Sequence, residues 1–252
     1  MKIATWNVNG IRAREAQLLE WLAEEQPDVL CLQEIKASLT QVPATLAALD
    51  DYWNLWHGGG GYSGVSLHLR RERFGEEPTF EHPPFDMETR MVQAEVDGIV
   101  FASVYIPNGG KDYPAKLAFL RHMADYVDQV HRSGLRLVLC GDMNIARENR
   151  DVHPSQFKEG MIGARDDERA IFEEMIAHDL VDIGRTLDPD NDRLFTWWPF
   201  WRAARQRNLG WRLDYVFASK EIAGAARESH VRREVGTSDH GPVIVVLDDS
   251  AL

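Results

Sequence analysis

Cysteine is scarce in this chain. Only Cys31 and Cys140 occur among its 252 residues. Both sit in apolar runs, "DVLCLQE" and "LVLCGD". Two such residues cannot build a disulfide framework or a cysteine-rich metal site, and they read as buried, inert thiols. Long hydrophobic runs are also lacking. None reaches the roughly 20 apolar residues of a membrane span. The opening "MKIATWNVNG" has no apolar signal-peptide core. The expectation is a cytoplasmic protein. Positive charge is in deficit: 28 Lys plus Arg face 40 Asp plus Glu, for a net charge of −12. That excludes broad electrostatic attraction to nucleic acid, whose backbone is densely negative. A nucleic-acid partner would need a local basic face, and some of the acids would need another purpose. Low-complexity linkers and solenoid repeats are missing too.

What is present is a mixed α/β pattern. Apolar residues make up 44% and charged residues 27%, enough to bury a sizeable core. "KIATWNV" reads as a strand. "IRAREAQLLEWLAEEQPD" carries Ile11, Leu18, Leu19 and Leu22 at helical spacing. "VLCLQE" follows as a buried strand, completing a strand–helix–strand unit. A helical stretch is expected around 41–50. "GYSGVSLHL", "MVQAEV" and "IVFASVYI" read as consecutive antiparallel strands. "AKLAFLRHMADYVDQVHR" is a helix with Leu117, Leu120, Ala124 and Val127 on one stripe. "LRLVLCGD" is a strand. "DDERAIFEEMIAHDL" is a helix with Asp166 or Asp167 as its N-cap. "RLFTWW" begins as a strand, passes into an aromatic and basic loop, and closes on "LDYVFA". "PVIVVL" is the last core strand. The whole chain, 1–252, is expected to be one domain of layered sheets with outer helices.

Several of these strands end in polar groups. "LVLCGDMNIA" puts Asp142 and Asn144 two positions apart, which is one face of a strand. Asn7 follows the first strand and Glu34 the second. Tyr105 precedes a Pro-Asn-Gly turn. Asp214 sits inside "WRLDYVF". Asp239 and His240 precede the last strand. Each has a plain structural reading. Gly141, Asp142 and Asn144 are turn formers. Asn7 could cap a helix, Glu34 could be a solvated strand end, and Tyr105 could be an amphipathic core edge. His240 alone reads as a satisfied surface histidine. Asp214 is harder to dismiss, because a carboxylate between Leu213 and Tyr215 is costly to bury unpaired.

The set says more than its members. Glu34, Asp142, Asp239, Asn7 and Asn144 are hard oxygen ligands of the kind that suit Mg²⁺ or Mn²⁺. Asp214 could orient His240 and stabilise its imidazolium. Oxygen ligands with an Asp–His pair suit metal-assisted phosphate ester hydrolysis, in which charge develops on phosphoryl oxygens.

"TWNVNG", "LQEIK", "YIPNG", "GDMN", "GWRLDY" and "SDHGPV" occur in the order and approximate spacing of the exonuclease III family of apurinic/apyrimidinic endonucleases. That family belongs to the endonuclease/exonuclease/phosphatase superfamily, which includes deoxyribonuclease I. The resemblance spans residues 2 to about 247. It implies a four-layer α/β sandwich, two mixed β-sheets face to face with helices outside and the site at one end. It implies a Mg²⁺-dependent DNA-repair nuclease that cuts duplex DNA 5′ to abasic sites, leaves a 3′-hydroxyl and trims 3′ ends, with Mn²⁺ as a substitute metal. Glu34 resembles the principal Mg²⁺ ligand, with Asn7 beside it and Asp239 near the same metal. Asp142 resembles the group that orients or deprotonates water, and Asn144 its neighbour on the phosphate or nucleophile. His240 resembles the histidine at the scissile phosphate, oriented by Asp214. Tyr105 resembles a phosphate-contacting tyrosine. Asp142, Asn144 and His240 thus count both as catalytic groups and as metal neighbours.

On the substrate side, Arg202, Arg205, Arg207 and Arg212 interleave with Trp197, Trp198, Trp201 and Trp211. This is the local basic and aromatic patch that the net charge demands. Arginines neutralise phosphates and aromatic faces hold sugars or bases. Trp198 reads instead as core. By resemblance, Trp197, Trp211 and Leu213 form an apolar pocket for the flipped-out abasic sugar, and Trp201 and Arg202 wedge into the duplex. "LRRERF" at 69–74 is a second basic run that reads better as a solvated face. Two other readings compete: a catalytically silent binding protein on this fold, and a phosphatase or phosphodiesterase for a small phosphorylated molecule. The complete acidic and histidine set opposes the first, and the Arg/Trp loop opposes the second. A monomer is expected, because DNA must reach one open end of the sandwich.

Overall fold

A computed structural model describes residues 1–249. Among these, twelve strands form two six-stranded sheets. They are β1 (Lys2–Asn7), β2 (Val29–Gln33), β3 (Tyr52–His57), β4 (Val65–Arg70), β5 (Phe80–Glu81) and β6 (Met91–Val96). The series continues with β7 (Ile99–Tyr105), β8 (Arg136–Asp142), β9 (Leu180–Asp182), β10 (Asp214–Ser219), β11 (Ala226–Val231) and β12 (Val243–Leu247). One sheet runs β11-β12-β1-β2-β4-β3 and the other β5-β6-β7-β8-β10-β9. Each is mixed: β1 with β2, and β7 with β8, are parallel pairs flanked by antiparallel neighbours.

Strand alternation builds the layers. Ile3, Val29, Cys31, Val65 and Leu67 face Phe101, Val138, Cys140 and Val216 between the sheets. The alternate residues Ala4, Trp6, Leu30 and Leu32 face outward and meet Ile11, Leu18, Trp21 and Leu22 of the helix Ile11–Glu25. On the other side, Val104, Leu139 and Phe217 meet Phe119, Leu120, Met123 and Val127 of the helix Tyr113–Arg132, and Phe172 and Met175 of the helix Asp166–Ala177. Helix, sheet, sheet, helix is the expected four-layer sandwich. Both cysteines are free and fully buried. Asp112 caps the helix Tyr113–Arg132 by accepting from Ala115 N at 2.9 Å.

Some elements depart from the sequence reading. β4 does not continue into β6 and β7. It pairs with β2 and β3 in the opposite sheet. The helical stretch around 41–50 shrinks to a 3₁₀ turn, Leu39–Gln41, and one turn of helix, Ala44–Ala47. The N-cap at 165 is Arg165, not Asp166 or Asp167, which lie in the first turn. Glu168 Oε1 there accepts from Arg165 N at 3.0 Å and Gly163 N at 2.5 Å. Residues 194–198 form no strand of either sheet and carry only isolated bridges at Trp197, one of them to Trp211. The run 69–74 lies where β4 leaves the far end of its sheet, opposite the polar strand ends, and Arg70 bridges Glu72. It is the solvated face. No helix among the described residues is long and apolar enough to cross a membrane.

The topology gathers the polar residues. β1, β2, β7 and β8 all point their C-terminal ends one way, while β10 and β12 begin at that same end. Asn7, Glu34, Tyr105, Asp142, Asp214, Asp239 and His240 therefore converge. Beneath them a buried polar step crosses the sheets: Thr5 Oγ1 donates to Gln33 Oε1 at 3.1 Å, and Gln33 Nε2 to Ser103 Oγ at 3.2 Å.

Candidate active site

β8 reaches this end because of Gly141. A Cβ there would lie 1.9 Å from Val104 O of the parallel neighbour β7. No other residue lets the two strands stay paired while Asp142 closes the strand. Asp142 and Asn144 share the cleft, but not by strand alternation. The strand stops at Asp142, and Asn144 is left-handed at φ 49°. Its backbone N–H donates to Asp142 Oδ1 at 2.9 Å, and its Nδ2 to Ile106 O at 2.9 Å. The buried Lys116 Nζ donates to Asn144 O at 2.8 Å and pairs with the buried Glu168 at 2.6 Å. Glu34 and Lys36 are also left-handed, each at φ 50°. Neither residue type favours that conformation, which costs of order 1–3 kcal/mol per residue. The turn after β2 holds this strain and sets both side chains over the cleft.

The hydrogen bonds form one network. Tyr105 OH donates to Glu34 Oε1 at 2.8 Å. Asn7 Nδ2 donates to Glu34 Oε1 at 3.1 Å and to Asp142 Oδ2 at 2.9 Å. Asn7 Oδ1 is taken by Asn9 N at 3.0 Å, so Asn7 caps no helix and offers the two acids its nitrogen. Lys36 Nζ lies 2.6 Å from Glu34 Oε2 and donates to Asn9 Oδ1 at 2.7 Å. Asp239 accepts from Asn9 Nδ2 at 2.8 Å and from Trp197 Nε1 at 3.0 Å. His240 Nδ1 lies 2.8 Å from Asp214 Oδ2, which also accepts from Thr196 Oγ1 at 2.6 Å. His240 Nε2 is 3.8 Å from Asp142 Oδ2. His240 is therefore buried and paired, not a surface histidine.

Burial and charge divide the acids. Burial pushes Asp142 up to about 7; His240 pulls it down, while the charges of Asp214 and Glu34 add to the rise. Burial also opposes charge on His240, but Asp214 and Asp142 overcome it and push the imidazole up to about 10. Glu34 is raised by burial but ends below its ordinary value because Lys36, His240 and Asn7 favour its charge. Asp239 likewise ends low, with His240, Asn9 and Trp197 outweighing burial. Burial first, then Glu34 and Asp142, holds the Tyr105 phenol far above its usual range. It is a neutral donor.

Glu34, Asp142 and His240 each offer a ligand atom within 4.8 Å of the other two. The donor set is rich in oxygen. Four carboxylates, Glu34, Asp142, Asp214 and Asp239, face two cations, Lys36 and His240. The residual charge is of the size that one divalent cation offsets. These residues fit a hard divalent metal.

Apolar residues complete the cleft, which has a volume of about 470 Å³. Trp197, Trp211 and Leu213 line it together with Met161, Ile162 and Gly163, and Met161 packs on the same apolar cluster. The Trp197 and Trp211 rings meet edge to face at 6.2 Å. Trp201 and Arg202 lie on an exposed loop outside this lining, Trp201 with 64% of its surface exposed. Trp198 is core, its Nε1 donating to Asn208 at 3.0 Å. Two arginines are corrected. Arg212 is buried against Asp182, with Nη1 to Oδ2 at 2.8 Å, and does not reach solvent. Arg205 donates to Arg233 O at 2.6 Å and Val235 O at 2.7 Å, bracing the loop that leads to Asp239. Only Arg202 and Arg207 of that basic run remain exposed. Lys36, Asn9, Asn108, Met161 and Ile162 were not singled out from sequence. The first three lie inside the quoted motifs "LQEIK", "TWNVNG" and "YIPNG"; the last two sit in an irregular segment without a signal.

The sequence model of the Endonuclease/Exonuclease/phosphatase family matches residues 4–240, and the chain belongs to that family. The DNA repair nuclease APEX1 of Danio rerio is 31% identical over 98% of this chain and 82% of its own length. A 3′-5′ exonuclease from Neisseria meningitidis superposes with a TM-score of 0.90 at 30% identity, covering 98% of this chain and 100% of its own. An AP endonuclease from Archaeoglobus fulgidus superposes with a TM-score of 0.87, also at 30% identity, over 98% and 99% of the two chains. The recognition made from the six motifs is borne out, and the fold is theirs. An exonuclease and an AP endonuclease stand at equal identity, so the cleft has to discriminate between them.

Proposed function

We propose that the protein is a Mg²⁺-dependent DNA-repair nuclease, active as a monomeric single domain in the cytoplasm. It hydrolyses the phosphodiester 5′ to an abasic site in duplex DNA, leaves a 3′-hydroxyl and also trims 3′ ends. Mn²⁺ substitutes for Mg²⁺. The observation that carries this reading is the shared cleft: the apolar wall of Trp197, Trp211 and Leu213 opens on the same space as Glu34, Asp142 and His240. A deoxyribose without a base fits this cleft, and a missing base lowers the cost of leaving the stack.

Glu34, with Asp239 and Asp142 nearby, would hold the metal, which would supply a Lewis acid for the phosphoryl oxygens. Asn7 and Tyr105 hold Glu34 in place by donating to it. Asn108 and Asn144 line the same cleft and offer amide groups to the phosphate, while the Tyr105 hydroxyl is committed to Glu34. Burial opposes charge on His240, but the Asp214 and Asp142 carboxylates favour its imidazolium form over one that would take the water's proton. His240 faces the phosphate as a charged donor, held by Asp214. Asp142 is the acceptor: buried, anchored by Asn144 N, and able to bind a proton near neutrality. Trp201 and Arg202, exposed on their loop, are assigned by resemblance to part the strands of the duplex beside the lesion.

Glu34→Ala and Asp142→Asn test these assignments. Both should lose cleavage by at least a hundredfold while keeping the native circular dichroism spectrum. Near-normal cutting by either folded variant would refute the scheme.

A further inference from the structure

A second cluster of metal-type ligands lies outside the catalytic cleft. His57 closes β3, and His82 and Asp86 lie on the link between β5 and β6. One ligand atom from each lies within 4.8 Å of the other two. His57 Nε2 is 2.7 Å from Asp86 Oδ2. The His57 and His82 rings stack, with centroids 4.7 Å apart and planes 8° from parallel. No catalytic residue belongs to the group.

The carboxylate is fixed from behind. Asp86 Oδ1 accepts from Arg90 N at 2.7 Å and from Met91 N at 2.8 Å, which leaves Oδ2 facing the rings. Such outer hydrogen bonds are what orient the ligands of a metal centre. His82 is exposed. That gives an ion a path in and leaves room for water as a further ligand.

We propose that His57, His82 and Asp86 bind a borderline transition-metal cation of the Zn²⁺ class. Two imidazoles and one carboxylate are the donor types such ions take, at roughly 2.0–2.2 Å from the metal. Mg²⁺, which prefers an all-oxygen shell, is not served by them. Closing the ligands onto one ion needs a turn of the exposed His82 ring and a parting of His57 Nε2 from Asp86 Oδ2, now in hydrogen-bond contact at 2.7 Å. The bound ion would clamp the end of β3 in one sheet to the β5–β6 link of the other. Arg90, whose N–H holds Asp86, places its guanidinium 4.8 Å from the Tyr105 ring centroid and donates to Tyr105 O at 3.3 Å. The clamp therefore braces the wall that carries Tyr105.

The test is Co²⁺ titration of the whole protein in saturating Mg²⁺, which fills the oxygen-rich catalytic cluster with its own ion. The expected result is one equivalent of Co²⁺ with the visible absorption of a nitrogen-ligated site, displaced by Zn²⁺. His82→Ala, a change at an exposed side chain, should weaken this binding at least tenfold. His240→Ala, which alters only the catalytic cluster, should retain it. Absence of Co²⁺ uptake by the wild type, equal uptake by His82→Ala, or loss confined to His240→Ala would each overturn the proposal.

Discussion

Asp214→Asn removes one charge and little else. Asp214 is buried at the start of β10, and its Oδ2 is the partner of His240 Nδ1 at 2.8 Å. Asparagine keeps the shape and can still accept from Thr196. The imidazolium loses its nearest counter-charge. A hydrogen bond to a charged group is worth about 1.5–3 kcal/mol. At about 1.4 kcal/mol per decade, that is a loss of roughly ten- to 150-fold in kcat. KM should change little, because the charge matters most when the phosphoryl oxygens gain theirs. In metal-free protein the His240 pKa should fall from about 10, since burial then meets less opposition. The sign for stability follows. A folded pKa raised above the unfolded one stabilises fully below pH about 6.5 and fades as pH rises through the folded value. The variant should lose stability most below that pH. Single-turnover cleavage of an abasic duplex, with NMR titration of the His240 ring, reads both effects. A kcat within twofold of wild type and an unmoved His240 pKa would refute the reasoning.

Trp211→Leu should cut abasic cleavage at least tenfold more than 3′-end trimming, because it reshapes the sugar wall and leaves the acids in place; equal losses on both substrates would contradict the pocket. Lys116→Met should destabilise the protein by about 3–5 kcal/mol, read as a drop in the urea midpoint, because it strands the buried carboxylate of Glu168. His68 is fully buried between Tyr52 and Trp56, and burial holds its pKa down to about 3. The unfolded chain binds that proton below pH about 6.5 and the folded one does not, so stability should fall by about 1.4 kcal/mol per pH unit on acidification. His68→Leu should flatten that slope in urea melts between pH 6 and 4.

Much of the site was legible because its residues break local rules. A carboxylate inside "WRLDYVF" and a Gly-Asp-Met-Asn end to an apolar strand are costly unless they pair, and they do pair. Layered sheets with outer helices were legible in the apolar periods of the helices Ile11–Glu25 and Tyr113–Arg132, and the four-layer order came with the family resemblance. What was lost lay at edges. β11, "ARESHV", is an edge strand with polar residues on its open side, and β3, "YWNLWH", is another edge with an irregular burial pattern. Neither alternates cleanly. Arginine roles were equally hidden. Arg205 and Arg212 look like phosphate contacts in the sequence, but the acids and carbonyls that claim them lie up to 33 residues away. Only tertiary structure decides which guanidinium is free. The −12 charge is explained only in part. Four acids serve the cleft, and Asp151, Asp182 and Glu168 are spent on buried pairs.

The central claim is that one cleft joins phosphate chemistry to an abasic sugar pocket. The most direct measurement uses a 5′-labelled duplex with one abasic site, incubated with the protein in Mg²⁺ and in EDTA beside an intact duplex. The account predicts a single Mg²⁺-dependent cut immediately 5′ to the lesion with a 3′-hydroxyl end, far faster than any degradation of the intact strand. A uniform ladder on both duplexes, or no cutting of either in Mg²⁺ or Mn²⁺, would contradict it.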